Sequence, residues 1–290
     1  MTSPLITATA PISDEELQAY CPAIMNEHGA HSARSDRYGF VSTISIINAL
    51  REKGYGVYYA QQQDSYRRPE MHEYQRHIVR LRKVEEADTL HNGVIFDIVL
   101  QNSHNGSTTL SINPGIYRPA TDMYMTLPFS PTDQRRHMVG NVEGYVDMVS
   151  DISDMHVDFL DLFEAMRNQP MSHGAQLQFI DAALEARYGE YKPVGNRPKG
   201  LSTERFFETQ VEAGNDDFSN LWECMNRTLS VIMNGGVQYE TGTINKKTGE
   251  LRLASLRGVT NIKHSVEIQA AVWNIAEKML TDLNEVRQVA

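Results

Sequence analysis

Cysteine is almost absent from this sequence, since Cys21 and Cys224 are the only two among 290 residues. Two thiols so far apart argue against a disulfide framework and against a cysteine-ligated metal site. The sequence also lacks an N-terminal signal pattern and any apolar run approaching the ~20 residues of a membrane-spanning helix. We therefore expect a soluble protein of the cytoplasm, with no metal and no membrane partner.

Motifs of well-known enzyme classes are absent as well. There is no G-x-x-x-x-G-K-[ST] phosphate loop, no G-x-S-x-G elbow and no dinucleotide fingerprint, so no cofactor is predicted. Two histidines leave a hydrolase open as an alternative. His104 lies in the Asn102–Gly106 turn, where it could act as a base, but Asn and Ser side chains in such a turn usually bond to their own backbone. His77 falls on the apolar side of a predicted strand, which favours a core position.

Positive charge is scarce overall but locally concentrated. The formal net charge is −10, which taken alone argues against nucleic acid as a partner. Between Arg34 and Val84, however, ten Lys and Arg stand against five Asp and Glu. A second basic stretch runs from Asn245 to Lys263 and contains a single acidic residue, Glu250. A chain that segregates its charge in this way can bind a polyanion in spite of its acidic total.

One amphipathic helix is predicted between residues 40 and 54. Its apolar residues recur at three- and four-residue spacing and therefore share one face: Phe40, Val41, Ile44, Ile47 and Leu50. Ser42 or Thr43 can cap its N-terminus, and Gly54 stands where a left-handed stop belongs.

Four strand-like runs follow this helix, and they predict an antiparallel meander: Tyr55–Gln63, Gln75–Val84, Val94–Gln101 and Ser107–Ile112. Side chains alternate along a strand, so Arg76, Arg80 and Arg82 should share the face opposite to Val79 and Leu81. A tight turn at Asn105-Gly106 should join the last two runs. We expect one face of the sheet to pack on the helix and the other to present arginines, either to a ligand or simply to solvent.

The flanking segments complete an α+β prediction with two regions, residues 11–131 and 132–290. Residues 1–10 are expected to form a flexible leader and Pro119–Pro131 a linker, while the second region is mainly helical with one basic β-hairpin. Its first helical stretch carries acids that repel one another along one face: Asp147, Asp151, Asp154, Asp158, Asp161 and Glu164. This acidic stripe (residues 147–164) is either a solvated face or a docking surface for a host protein, a phage protein or a neighbouring subunit.

Many landmarks in order resemble one family. They are Ser35-Asp36-Arg37-Tyr38, Thr43, Leu50, Gly54, Arg76-His77, Arg80-Leu81-Arg82-Lys83, Leu100, Asn102-Ser103-His104, Gly106, Leu221-Trp222, Asn226-Arg227, Gly235-Gly236, Arg257-Gly258-Val259, Trp273 and Ala276-Glu277. With these residues the chain resembles the phage/plasmid-like proteins of domain-of-unknown-function family 932. The resemblance implies a phage, plasmid or prophage origin, hence the cytoplasm of a host cell, and confers no activity.

The sequence departs from that family at two places. Family members carry Asp where this chain has Asn105, and a Cys-Asn segment where it has Pro119–Asp122. If the family used a catalytic acid at the first position, this chain would lack it, which argues against an enzyme. A more distant resemblance, in element order and the basic strand, is to single-strand annealing proteins of the RecT, Red-beta and Erf kinds.

These observations lead to one functional hypothesis. We expect a single-stranded nucleic-acid-binding protein, with DNA or RNA as partner, that acts in the replication or recombination of a mobile element, either by binding strands alone or by also annealing them, and that forms homo-oligomers. The expected phosphate contacts are Arg76, Arg80, Arg82, Lys83 and Arg37, with Lys246, Lys247 and Arg252 as a second patch. Tyr58 and Tyr59 are candidate stacking platforms, and alternation would place only one of them on the arginine face. The alternatives are a phage effector that binds a host protein through the acidic stripe, and the histidine-dependent hydrolase.

Overall fold

Two compact units make up the chain, residues 1–158 and residues 159–290. The computed structural model describes residues 5–31, 39–64, 68–128, 142–154, 156–190, 197–212 and 218–289. Helix α3 (Val142–Asp154) belongs to the first unit because Tyr145, Met148 and Ile152 enter its core.

A six-stranded, curled antiparallel sheet forms the frame of the first unit. Its strands are β1 (Leu5–Thr7), β2 (Tyr55–Gln62), β3 (His77–Lys83), β4 (Ile95–Asn102), β5 (Ser111–Arg118) and β6 (Met123–Thr126). They lie side by side in chain order, so the predicted meander is confirmed. All five pairings are antiparallel, as short connections between consecutive strands require.

Helices cover one face of this sheet. Helix α2 (Thr43–Arg51) begins at Ser42, whose side chain accepts a hydrogen bond from Ser45 N, and Gly54 follows it with a φ of +86°. Its apolar stripe packs with α1 (Asp14–Tyr20), with α3 and with the inward residues of the strands. Those inward residues are Val57, Ala60, Val79, Leu81, Ile98, Leu100 and Ile112. Helix α1 carries the capping box of Ser13 and Glu16, with both reciprocal hydrogen bonds formed.

Three sequence-based expectations about this unit are wrong. Residues 5–7 are not a flexible leader, because β1 pairs with β2. The predicted linker from Pro119 contains β6, whose four residues pair with β5. Strand β5 starts at Ser111 and continues through Pro114, so the connection from β4 is a longer loop than the tight turn predicted at Asn105-Gly106. Pro114 is tolerated because only its carbonyl is used, accepting from Leu127 N at 2.9 Å.

The second unit is mainly helical. Its helices are α4 (His156–Asn168, which spans the boundary), α5 (His173–Glu185, extended by a π-helical turn at Ala186–Glu190), α6 (Thr203–Glu212), α7 (Leu221–Asn234) and α8 (Ile262–Val289). Buried aromatic rings hold them together: Phe163 lies 4.8 Å from Trp222 and 5.6 Å from Trp273 between ring centroids. Strands β7 (Gly235–Ile244) and β8 (Leu251–Arg257) form a separate antiparallel hairpin.

The fold class is α+β, as predicted. A helix-covered meander precedes a mainly helical half with one β-hairpin. Among the described residues, no helix combines the length and the apolar character needed to cross a membrane.

Candidate functional site

Arg80 and Arg82 lie side by side on the sheet face opposite to α2, where alternation placed them. Their side chains are nevertheless buried, with Arg80 2% and Arg82 6% exposed. Arg82 Nε donates to Asp97 Oδ1 at 2.5 Å, and Arg80 Nη1 lies 3.7 Å from Asp97 Oδ2. Arg80 also donates to Met125 O and to Thr126 Oγ1, each at 3.1 Å. The expectation that this face offers exposed arginines is wrong, because residues of β4 and β6 bind both guanidiniums and bury them.

A β-bulge turns two adjacent tyrosines toward these arginines. The register between β2 and β3 shifts between Val57 and Tyr59, which pair with consecutive residues of β3, so Tyr58 is the extra residue. Tyr58 lies 5.2 Å from Arg82 Cζ, and Tyr59 lies 5.8 Å from Arg80 Cζ, measured to the ring centroids. The expectation that only one of the two tyrosines reaches the arginine face is therefore wrong. Tyr58 is 2% exposed, so its ring offers no surface for a base.

Two further tyrosines, from β5 and β6, complete the enclosure. Tyr117 and Tyr124 are stacked with ring centroids 4.4 Å apart. Arg82 Cζ lies 4.6 Å from the Tyr117 ring, and Arg80 Cζ lies 5.0 Å from the Tyr124 ring. Arg82 therefore contacts rings from β2 and β5, and Arg80 contacts rings from β2 and β6. Such contacts stabilise a buried cation through the ring quadrupole.

The electrostatics of this arginine–tyrosine cluster, in which Tyr59, Tyr117 and Tyr124 are half-buried, fit a structural role. Burial raises the pKa of Tyr59 to about 12, with the Arg80 charge opposing the rise. Burial likewise raises the pKa of Tyr124 and of the Asp97 carboxyl, while the two guanidiniums oppose both shifts. The tyrosines are accordingly neutral at physiological pH, and the two cations share one carboxylate.

Gly115 on β5 is what allows Arg80 to lie across the sheet. A Cβ at this position would come 2.9 Å from Arg80 Nη1 and 2.4 Å from Val99 Cγ2. Any side chain there would displace the guanidinium or the neighbouring strand. The glycine thus belongs to the architecture of the cluster.

The other cations predicted around this strand also have partners. Arg76 is half-buried and donates to Ser107 O at 2.7 Å. Lys83 lies 4.0 Å from Glu86 and keeps 39% of its side chain exposed. Arg37 lies outside the described residues. Within the described part of the first unit, the predicted phosphate contacts thus do not form one exposed row.

His77 and His104 are buried next to each other. Their ring centroids are 5.2 Å apart, and they are 0% and 1% exposed. His77 Nδ1 donates to Gln75 O at 2.9 Å and its Nε2 accepts from Thr43 Oγ1 at 2.8 Å, while His104 Nε2 donates to Ala23 O at 2.9 Å. Burial lowers the pKa of His77 to about 3, helped by His104, and lowers the pKa of His104 to about 4. Both imidazoles are therefore neutral: His77 connects β3 to the start of α2 at Thr43, and His104 connects its loop to the N-terminal segment at Ala23.

The loop that carries His104 has the turn chemistry favoured from sequence. Ser103 Oγ accepts from Thr108 N and donates to Thr108 O, both at 2.9 Å. Asn105 Oδ1 accepts from Ser107 N at 2.9 Å. Within this loop His104 is only 1% exposed.

The β7–β8 hairpin contrasts with the sheet because its cations are exposed. Lys246 and Lys247 lie at its tip, which is ordered by hydrogen bonds from Asn245 N to Glu250 O and from Lys247 N to Asn245 Oδ1, at 2.8 and 3.0 Å. Neither lysine forms an ion pair with any carboxylate that the structure describes. Arg252 is exposed as well, on the β8 face opposite to Leu251 and Leu253.

The base of the hairpin is clamped to the helices. Arg187, 1% exposed, donates through Nη1 to Ile232 O at 2.5 Å and through Nη2 to Arg257 O. Gly200 lies so close to β7 that a Cβ on it would be 1.7 Å from Glu240 O. The hairpin is therefore an arm with an anchored base and an exposed outer half.

A groove of about 890 Å³ runs along the anchored part of this arm. Lys199 and Arg205 line it, together with Tyr239, Glu240 and Leu253. Arg205 Nε donates to Gln238 O at 3.1 Å, which fixes the guanidinium against β7. The groove combines two cations, the carboxylate of Glu240 and apolar side chains beside the basic tip.

The six acids of the acidic stripe are all exposed. Asp147, Asp151 and Asp154 lie on α3 in the first unit, whereas Asp161 and Glu164 lie on α4 in the second. The stripe is thus divided between two helices.

Sequence reasoning missed five residues of these sites: Asp97, Tyr117, Tyr124, Lys199 and Arg205. Asp97 left a usable signal, since it is a single acid within the apolar run Val94–Gln101 and points to the face opposite Ile98. The others depend on which segments lie close in space.

The chain is similar to proteins of one domain family. A family model described as "Domain of unknown function (DUF932)" matches residues 30–273. Two proteins of Escherichia coli (strain K12), UPF0380 protein YfjQ and UPF0380 protein YafZ, are each 27% identical over 287 residues, which cover 96% of this chain and 95% of theirs. No solved structure matches, so the likeness to the annealing proteins has no support beyond element order. Because the family match covers most of the sequence, the chain belongs to the DUF932 domain family.

Proposed function

We propose that the chain binds single-stranded nucleic acid through the β7–β8 hairpin, in the replication or recombination of a phage or other mobile element. The observation that carries this proposal is the exposed tip with Lys246 and Lys247, which have no carboxylate partner among the described residues. An exposed ammonium that contacts a phosphate releases a cation condensed on the nucleic acid, and this counterion release supplies most of the sequence-independent affinity.

In this proposal the phosphate contacts lie on the hairpin and not on the sheet, where the sequence suggested them. Arg80 and Arg82 are held by Asp97, and freeing them would leave a buried carboxylate without its partners. The tip lysines meet no such cost because they are already in water. Lys199 in the adjacent groove extends the cationic path toward the base of the arm, beside Arg205, which lies 3.7 Å from Glu208.

A single strand suits this surface better than a duplex. The chain has a net charge of −10, so a wide duplex would be repelled outside a small basic patch. Strand β8 has seven residues, or about 23 Å at ~3.3 Å per residue, which matches a short stretch of extended strand.

The test is the dependence of binding on salt. Lys246→Gln/Lys247→Gln should weaken binding to single-stranded DNA of any sequence and lower the slope of log affinity against log salt by about 1.4, at ~0.7 per lost phosphate contact. The matched control is Lys53→Gln/Lys278→Gln, which removes the same charge at exposed positions outside the hairpin. Equal slopes for both double variants would refute the hairpin as the binding surface.

A second candidate is docking of a basic protein on the acidic stripe. The observation that favours it is that Asp147, Asp151 and Asp154 are exposed on one helix and form no ion pair with any described cation. Salt-dependent binding to single-stranded DNA, absent for a plain protein-binding effector, separates the two candidates.

A further inference from the structure

The outer half of the hairpin exposes apolar side chains as well as cations. Ile244, Leu251 and Leu253 are 62%, 48% and 63% exposed, and they account for three of the seven large hydrophobic residues exposed in the described chain. Single exposed apolar residues are ordinary, but a cluster on one arm indicates a contact surface.

These three side chains share one face. Ile244 and Leu251 are directly paired across the two strands, and Leu253 lies two residues further along β8. Residues that pair directly, or that are two apart on a strand, point to the same side of the hairpin. Leu253 also lines the groove with Lys199, Arg205 and its cross-strand partner Glu240, so the apolar face meets the charged side chains of the groove.

We propose that Ile244, Leu251 and Leu253 contact the unstacked bases of the bound strand, while the lysines hold its phosphates. This inference rests on the proposed function and names the part of the ligand that the apolar face recognises. Unpaired bases offer apolar faces attached to an anionic backbone, which is the combination that this face complements. In duplex complexes, aliphatic side chains such as Leu and Ile insert between base steps and contact the faces of the bases.

A second copy of the chain is a poorer occupant of this face. Residues 245–257 contain four basic side chains against one acidic, so two such hairpins would repel each other. The acidic stripe of another copy offers carboxylates, but the described residues of α3 and α4 include no exposed large hydrophobic side chain. The apolar half of the surface would then have no partner.

The experiment compares strands with and without bases. Fluorescence anisotropy would measure binding to an oligothymidine, to an abasic oligonucleotide of the same length and to the corresponding duplex. The wild type should prefer the oligothymidine to the abasic strand about ten-fold, a change of the size expected when two half-exposed leucines leave water. Leu251→Ser/Leu253→Ser should abolish this preference, yet keep the salt slope and the affinity for the abasic strand and the duplex.

The control is Leu90→Ser, which removes a leucine that is 58% exposed in the first unit, and it should retain the preference. Circular dichroism should show both variants folded, because the replaced side chains are exposed. If the wild type binds both single strands equally, the base contact is refuted while the proposed function stands. If it binds neither, both fail. If the double serine variant instead loses self-association in light scattering and keeps the base preference, the face is an interface between copies and the inference is overturned.

Discussion

Replacing Asp97 by Asn tests whether the buried ion pair holds the sheet together. The substitution keeps the shape of the side chain but leaves two guanidiniums, 2% and 6% exposed, without a counter-charge. Removing one partner of a buried ion pair costs ~3–5 kcal/mol, because the remaining charge stays desolvated. For a unit of 158 residues, at ~2–4 °C per kcal/mol, we expect the melting temperature of the first unit to fall by roughly 6–20 °C.

The assay must report on the first unit alone. Trp222 and Trp273 both lie in the second unit, so tryptophan fluorescence follows that unit. Amide hydrogen exchange of β3 and β4, read by mass spectrometry, follows the sheet that contains Asp97. We expect lost protection in these strands of the Asn variant.

The matched control is Asp14→Asn, which breaks an exposed pair with Arg51 whose N–O distance is 2.7 Å. An exposed pair contributes only ~0–1 kcal/mol, so this variant should melt close to the wild type. If Asp97→Asn costs no more than Asp14→Asn, Asp97 is not the group that compensates the two buried guanidiniums, and the buried ion pair does not hold the sheet together.

Two further predictions concern the histidines and the acidic stripe. Burial lowers the pKa of His77 to about 3 and of His104 to about 4, so as the pH falls the histidines of the unfolded chain bind protons before those of the native chain do. The free energy of unfolding should therefore fall as the pH drops from about 6.5 toward about 4, by up to ~1.4 kcal/mol per pH unit for each histidine. Urea denaturation at about pH 6 and pH 5 should show a smaller loss for His104→Gln, and equal losses would contradict this origin. Asp151→Lys/Asp154→Lys should leave the fold intact and alter self-association or partner capture in light scattering and pull-downs; no change in either would mark the stripe as plain solvated surface.

Much of the local structure could be predicted from the sequence. Three- and four-residue spacing predicted α2, and Ser42 and Gly54 predicted where it begins and ends, because caps depend on residues next to them in the chain. Two-residue alternation placed Val79 and Leu81 opposite to Arg80, since this property of a strand needs no knowledge of its neighbours. The hairpin β7–β8, with lysines at its tip, followed from the same local signals.

The surroundings of these side chains depend on the tertiary structure. Alternation fixed the face of Arg80 and Arg82, but their burial depends on Asp97 from β4 and on tyrosines from β2, β5 and β6. An exposed and a buried arginine give the same alternating pattern, because alternation records which face of the sheet a side chain points to and not which residues lie on that face. The bulge that directs both Tyr58 and Tyr59 inward is likewise a property of a pair of strands.

The same distinction separates the two basic regions. Both the Arg34–Val84 stretch and the Asn245–Lys263 stretch are rich in cations in the sequence. Strands β4, β5 and β6 enclose cations of the first, whereas nothing among the described residues pairs with the tip lysines of the second. The number of charges can be counted in the sequence, but the free energy of desolvating a charge depends on which neighbours the fold brings to it. Those neighbours bury Arg80 and Arg82 of the first region and leave the tip lysines of the second exposed.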